Sequence, residues 1–283
     1  MTDLPLTPTA TRHLLERLGH EPRRRLGQNF LVDGNIVRKS LLLADLKPGD
    51  TVIEIGPGLG TLTRALLAAG MRVFAVEYDP RLAAYLREEL VPAFPKRFSL
   101  MEGDAVDHPL AGYTSDGTEP GFKIVANLPY AISTPWLEAV LEGPLPARMV
   151  LMLQKEAADR YTAKPGSKHF GAISVFLDAT YQREPGHTVS RQCFHPVPGI
   201  DSVLLTLGRL PHPRCYRTDT RAAIRKLFIY RRKQIGAAAK LALPTNIAEN
   251  WLKQLTAQQI KIDTRAEALP LSVWPWLDAL YSA

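Results

Sequence analysis

The sequence predicts an α/β architecture, a mostly parallel sheet with helices on both faces, followed by a small all-helical C-terminal part. Three observations carry that reading. Short apolar runs alternate with helical patterns between residues 51 and 162, turn-forming glycines or acids follow successive runs, and only helical patterns remain beyond residue 213.

Taken in order, residues 51–55 form a β-rich run and residues 62–69 show helical spacing. Residues 72–76 read as a second strand and 80–90 as a helix, with Pro80 in the first turn, where its missing N–H costs nothing. Residues 98–101, 124–126 and 149–153 add strands, and 134–141 and 155–162 add helices. Residues 169–181 fit helix and strand equally. Pro211-His212-Pro213 marks a hinge, and later helical patterns break at Pro244 and Pro270. The expected organisation is an N-terminal extension over residues 1–25, an α/β domain over 26–210 and a helical basic domain over 211–283.

A chain of 283 residues with 46% hydrophobic content supports one large core and a smaller second one. No uncharged apolar run reaches about 18 residues, the length that spans a bilayer, and residues 1–12 lack the apolar stretch of a secretory signal. A soluble cytoplasmic monomer with no membrane association is expected. Cys193 and Cys215, the two cysteines, stand in neither a CxxC nor a metal-ligand spacing, so no metal is expected.

The net charge of +7 is unevenly placed. Residues 1–210 hold 23 Lys and Arg against 23 Asp and Glu, whereas residues 211–283 hold 12 against 5. A basic terminal quarter points to a polyanion as partner. Arg221, Arg225, Lys226, Arg231, Arg232 and Lys233 fall on one predicted helix with an apolar stripe of Ile224, Leu227, Phe228, Ile235 and Ala238. That helix should turn Arg225 and Arg232 outward. A second basic run, Arg23-Arg24-Arg25, precedes Leu26-Gly27-Gln28-Asn29-Phe30.

Chemistry concentrates at the ends of the predicted strands. The turn after the first is Gly56-Pro57-Gly58-Leu59-Gly60-Thr61, preceded by Glu54. Glycines there let backbone approach a ligand, but Thr61 stands where a dinucleotide fingerprint needs glycine, and Pro57 removes a donor from any pyrophosphate cradle. A nucleoside without phosphates fits better. Glu77, closing the second strand, can accept both ribose hydroxyls, and Asp104 in Gly103-Asp104-Ala105 can accept from an adenine amino group. Asn127-Leu128-Pro129-Tyr130 combines an amide, a carbonyl held by a rigid proline and an aromatic ring at the end of a buried strand. Such a set suits a base amino group that is gripped while the ring stacks.

These motifs resemble those of class I RNA adenine-N6 methyltransferases, and more closely those of the small-subunit (16S) ribosomal RNA adenine dimethyltransferases, the KsgA/RsmA family. Leu26-Gly27-Gln28-Asn29-Phe30-Leu31, Leu153-Gln154-Lys155-Glu156, Pro165-Gly166-Ser167-Lys168 and Phe194-His195-Pro196-Val197-Pro198-Gly199-Ile200-Asp201-Ser202 extend the resemblance over residues 23–210. It implies a Rossmann-like methyltransferase fold and S-adenosyl-L-methionine as cofactor. The substrate implied is small-subunit ribosomal RNA in a pre-ribosomal 30S particle, with two adjacent adenines dimethylated at N6. It assigns Asn29, Leu31, Gly56, Gly58, Glu77, Asp104 and Asn127 to the cofactor, with residues 29–31 as a lid. Asn127, Leu128, Pro129, Tyr130 and Phe194 go to the target base, Tyr130 and Phe194 sandwiching it. Ala131 and Gln234-Ile235-Gly236-Ala237 depart from the family pattern. A large-subunit methyltransferase of the macrolide-resistance type, an assembly factor acting mainly by binding, and a nicotinamide-dependent dehydrogenase are the alternatives.

Overall fold

In the computed structural model, residues 7–114 and 121–282 are described. In chain order they form α1 (Pro8–Arg17), β1 (Phe30–Leu31), α2 (Gly34–Leu43), β2 (Thr51–Ile55), α3 (Thr61–Ala68), β3 (Arg72–Glu77), α4 (Pro80–Glu89), β4 (Phe98–Glu102) and β5 (Lys123–Asn127). The chain continues through α5 (Ser133–Val140), β6 (Arg148–Gln154), α6 (Lys155–Tyr161), α7 (Ala172–Thr180), β7 (Tyr181–Val189), β8 (Phe194–His195) and β9 (Ser202–Arg209). Helices α8 (Thr218–Ile229), α9 (Ile235–Ala242), α10 (Thr245–Ala257) and α11 (Trp274–Leu280) complete it.

Seven strands form one sheet in the order β4-β3-β2-β5-β6-β9-β7. Strands β4 to β6 pair in parallel, and β9 runs antiparallel to β6. All five residues of β2 are buried, as expected for a strand covered on both faces. The chain winds outward from β2 through β3 to β4, then returns to β5 on the other side of β2. The strand order therefore reverses between β2 and β5, which opens a crevice at their carboxyl ends.

A second, two-stranded ladder is formed by β1 and β8, antiparallel with Phe30 opposite His195 and Leu31 opposite Phe194. Two motifs some 160 residues apart in sequence are thereby joined. Val32 N–H extends the pairing to the Cys193 carbonyl at 2.9 Å.

The chain falls into two compact units, Met1–Ala158 with Arg183–Arg209, and Asp159–Gln182 with Leu210–Ala283. Both differ from the segments read off the sequence. Of the expected N-terminal extension, residues 1–6 lie outside the described residues, and residues 7–25 are part of the first unit, because Leu14 and Leu15 of α1 share the core with Phe30, Val52, Leu66 and Leu86. The second unit takes in α7, where Phe176 receives the guanidinium of Arg221 over its ring at 4.4 Å. Residues 169–181, open between helix and strand, contain α7 and run into β7 at Tyr181. The same unit holds an aromatic cluster, with Trp274 between Phe228 and Trp251 at centroid distances of 5.7 and 5.8 Å.

The single basic helix expected around residues 221–238 is two helices. Helix α8 ends at Ile229 and α9 starts at Ile235. Between them, Ile235 N–H bonds the Thr264 carbonyl and Gln234 bridges to Arg265, so a distant segment takes backbone groups that a continuous helix would use internally. Arg221 is buried rather than on a solvated face. Arg225, expected to point outward, lies half-buried with its guanidinium 5.7 Å from the Phe176 ring, whereas Arg232 is exposed.

Candidate functional site

A cavity of about 290 Å³ opens at the carboxyl ends of β2, β3, β4 and β5. Each strand delivers one motif to it. Past β2 the chain turns through Gly56 and Gly58, both with left-handed φ (64° and 60°), into α3. A Cβ at Gly58 would stand 3.1 Å from the Phe30 ring, a tight approach that adds to the positive φ favouring glycine here.

Glu77 closes β3 and is almost fully buried. Its Oε2 accepts the Gly58 N–H and its Oε1 the Asp79 N–H, each at 2.9 Å. Burial pushes its carboxyl up to about 6, and the neighbouring Asp79 charge adds to that. The Tyr78 N–H adds a third backbone donor to the carboxylate. Glu54, within β2, is also buried, and desolvation together with the Glu77 charge raises it to about 8. It is therefore neutral near pH 7. Asp104 follows β4 and uses Oδ1 to accept the Val106 N–H at 2.8 Å, which keeps its turn in place.

At the end of β5, Asn127 donates through Nδ2 to the Asn29 carbonyl at 3.1 Å. Tying down the amino half of the amide leaves the oxygen as the half able to accept from a ligand. Leu128 is buried and its N–H reaches the Met152 carbonyl at 3.3 Å, which anchors the turn to β6. The Tyr130 hydroxyl lies 2.9 Å from the Ser202 hydroxyl, so the ring is held from β9.

Asn29, Leu31, Gly56, Gly58, Glu77, Asp104, Asn127, Leu128, Pro129 and Tyr130 all line this one cavity. Phe194 does not. Its ring is 2% exposed, in a core cluster with Leu31, Phe30 and Leu14, and its pairing with Leu31 fixes the segment over the cavity instead of presenting a stacking face. Sequence reading missed Tyr78, which lines the cavity directly after Glu77 and is 58% exposed. An aromatic residue directly after the acid that closes a predicted strand was the available signal.

The description "ribosomal RNA adenine dimethylase" belongs to the family model that matches residues 19–277. A ribosomal RNA small subunit methyltransferase A from Opitutus terrae is 59% identical over 271 residues, covering 96% of this chain and 97% of that protein. Its counterpart from Moorella thermoacetica is 42% identical over 245 residues, covering 82% and 84%. Among solved structures, a dimethyladenosine transferase from Plasmodium falciparum has the same fold at TM-score 0.72 and 24% identity, covering 89% of this chain and 97% of that one. The 23S rRNA methyltransferase ErmE gives TM-score 0.61 at 24% identity, covering 90% and 100%.

Proposed function

The chain belongs to the ribosomal RNA adenine dimethylase family, and from that premise we propose how its cavity works. The reaction is transfer of methyl groups from S-adenosyl-L-methionine to the exocyclic N6 of adenines in small-subunit ribosomal RNA. Two adjacent adenines are the targets, each dimethylated, in a pre-ribosomal particle in the cytoplasm. The observation that carries the reading is convergence: a buried carboxylate, a turn acid and the Asn127-to-Tyr130 run line one crevice.

The residues present fit this cofactor. Glu77 is a buried carboxylate lining the cavity, held in place by backbone N–H groups, where ribose hydroxyls would find an acceptor. Asp104 has Oδ2 for an adenine amino group, and Gly56 and Gly58 bring backbone close without side chains. S-adenosyl-L-methionine supplies an already activated methyl on a sulfonium sulfur. The protein must then position the acceptor amine and accommodate its changing charge.

An adenine amino nitrogen is a poor nucleophile because its lone pair is delocalised into the ring. Accepting its two N–H groups at Asn127 Oδ1 and the Leu128 carbonyl favours a more tetrahedral nitrogen with a localised pair. Because Asn29 and Met152 already hold these two residues, little reorganisation remains at the moment of transfer. Tyr130 stacks on the flipped base, a contact of about 1–3 kcal/mol. With Phe194 packed away, the sandwich expected from the sequence reduces to one ring. The amine's surplus proton leaves to solvent, so no general base is assigned.

The test is transfer of labelled methyl to unmethylated 30S particles and, in parallel, to unmethylated large-subunit RNA, with the modified positions mapped by primer extension. Label confined to adenines of large-subunit RNA would favour the macrolide-resistance type, and no label in either would overturn the reading.

A further inference from the structure

Asp79 stands two residues beyond Glu77, is fully buried, and has more partners than a helix cap requires. As N-cap of α4, its Oδ1 accepts the Arg81 N–H at 3.0 Å. One such bond completes the capping role. Three further contacts come from the segment that precedes β1. Gln28 Nε2 donates to Oδ2 at 3.3 Å, the Arg23 guanidinium lies 3.4 Å from Oδ2, and His20 Nδ1 is 4.0 Å from Oδ1. Gln28 gathers the same segment a second time, its Oε1 accepting the Arg23 N–H at 2.8 Å and lying 3.1 Å from His20 Nε2. From the opposite direction, the Arg81 side chain donates to the Gly19 carbonyl at 2.5 Å.

The segment gathered in this way covers the cavity. Residues 25–31 line it, and the Asn29 carbonyl receives the Asn127 amide. The Asp79 backbone N–H meanwhile donates to Glu77 Oε1. One buried residue thus touches the ribose-side carboxylate through its backbone and the covering segment through its side chain.

We propose that Asp79 is a positioning residue that latches residues 19–28 over the cavity. Through Gln28 it sets the Asn29 carbonyl, and through that carbonyl the orientation of the Asn127 amide. This rests on the reading of the cavity as the cofactor pocket. With the latch closed the cofactor is retained; with it released, the segment loosens between its two tethers, α1 and the β1–β8 ladder, and the cofactor leaves faster. Arg23 is the one partner that is 40% exposed, so the latch can be contested from solvent by an anion.

Asp79→Asn separates latch from cap. Asparagine caps a helix as well as aspartate does, but its amide cannot attract Arg23 as a charge or accept from Gln28 on both sides. Gln28→Ala opens the latch from the other side and leaves the cap untouched. In each full-length variant, trypsin cleavage after Arg23, Arg24 and Arg25 without cofactor should accelerate by about tenfold, as expected for loss of one charge-assisted hydrogen bond. Cleavage after Arg231 to Lys233 should keep the parent rate, which a general loss of stability would not allow. Dissociation of S-adenosyl-L-methionine, followed by stopped flow, should accelerate by a similar factor. Parent-like cleavage at residues 23–25 in both variants overturns the proposal. So does equal acceleration at both basic runs. If Asp79→Asn does not fold, Gln28→Ala decides alone. If the parent fails to bind S-adenosyl-L-methionine, the reading of the cavity falls, and the cleavage result still decides whether the latch exists.

Discussion

The Gly58 N–H donates to Glu77 Oε2 at 2.9 Å, so the glycine turn after β2 and the acid that closes β3 are one hydrogen-bonded unit. The turn is shaped by the carboxylate, and the carboxylate is aimed by the turn. Replacing Gly58 with alanine attacks both. A left-handed φ costs an L residue roughly 1–2 kcal/mol, and the added methyl meets the Phe30 ring. Calorimetry should show cofactor affinity lower by about tenfold or more, with a lower melting temperature; an unchanged affinity would detach the turn from the pocket.

If Glu77 holds the cofactor as proposed, binding should depend on pH with a definite sign. Its folded-state value, raised to about 6 from the usual 4.5 chiefly by burial, means that the fold binds this proton more tightly than the unfolded chain. Stability from this group is greatest below about pH 4.5 and falls as pH rises through about 6. Binding runs the other way, because ribose hydroxyls need an ionised acceptor. Affinity should therefore be full above about pH 7 and fall as pH drops through about 6. Asp79 faces the same carboxylate, and its charge acts in the direction already included; Glu54, raised to about 8, stays protonated through this range. Glu77→Gln should bind more weakly at pH 7.5 and lose the pH dependence; a variant that keeps the parent's slope would assign it to another group.

Asn127→Ala should separate chemistry from binding. RNA affinity comes mainly from phosphate contacts spread over a basic surface, whereas the proposed role of Asn127 is to orient one amine. Single-turnover transfer at saturating cofactor should fall by about 10²–10³, the usual loss for one preorganised polar contact. RNA affinity in filter binding should stay within about twofold. A rate near that of the parent would remove the residue from the chemistry.

Tyr130 allows ring and hydroxyl to be tested apart. In the proposed mechanism the ring stacks on the base, while the hydroxyl fixes the ring through the buried Ser202. Tyr130→Phe should cost a few-fold in single-turnover rate, in keeping with about 1 kcal/mol for one hydrogen bond. Tyr130→Ala should cost far more by losing the stack. Equal losses in the two variants would mean that the hydroxyl, not the face, is the contact.

Much of this was legible locally. Strands β2 to β6 are short apolar runs bounded by turn residues, and the site lies at their ends because a reversal of strand order places it there. What could not be read depended on partners far away in sequence. Phe194 looks like a stacking ring in its motif, yet its pairing with Leu31 puts it in the core. Leu14 and Leu15 belong to a core whose other members begin at Phe30. The break between α8 and α9 comes from residues 262–265, which bond Gln234, Ile235 and Gly236. Arg221 reads as surface by type and is buried over Phe176 by context.

That last contrast reshapes the expectation for the basic C-terminal part. Residues 211–283 carry the whole net +7, so a polyanion should be held there, but the arginines on α8 are not equivalent to those beyond it. Arg225 packs toward the Phe176 ring, and its loss should show in stability, by about 0.5–1 kcal/mol for a partly exposed cation–π contact. Arg232 and Lys233 are exposed in the turn between α8 and α9 and are free to meet phosphates. Arg232→Gln with Lys233→Gln should weaken RNA binding evenly across sequences and reduce the salt slope by something under about 2, since each phosphate contact contributes about 0.7–0.9. Arg225→Gln should instead lower the melting temperature with a near-parent salt slope. The measurement is RNA affinity from 50 to 200 mM salt beside thermal unfolding. If Arg225→Gln flattens the slope while the pair at 232 and 233 leaves it unchanged, α8 rather than the turn faces the RNA. If neither does, Arg23 to Arg25 become the next basic run to test.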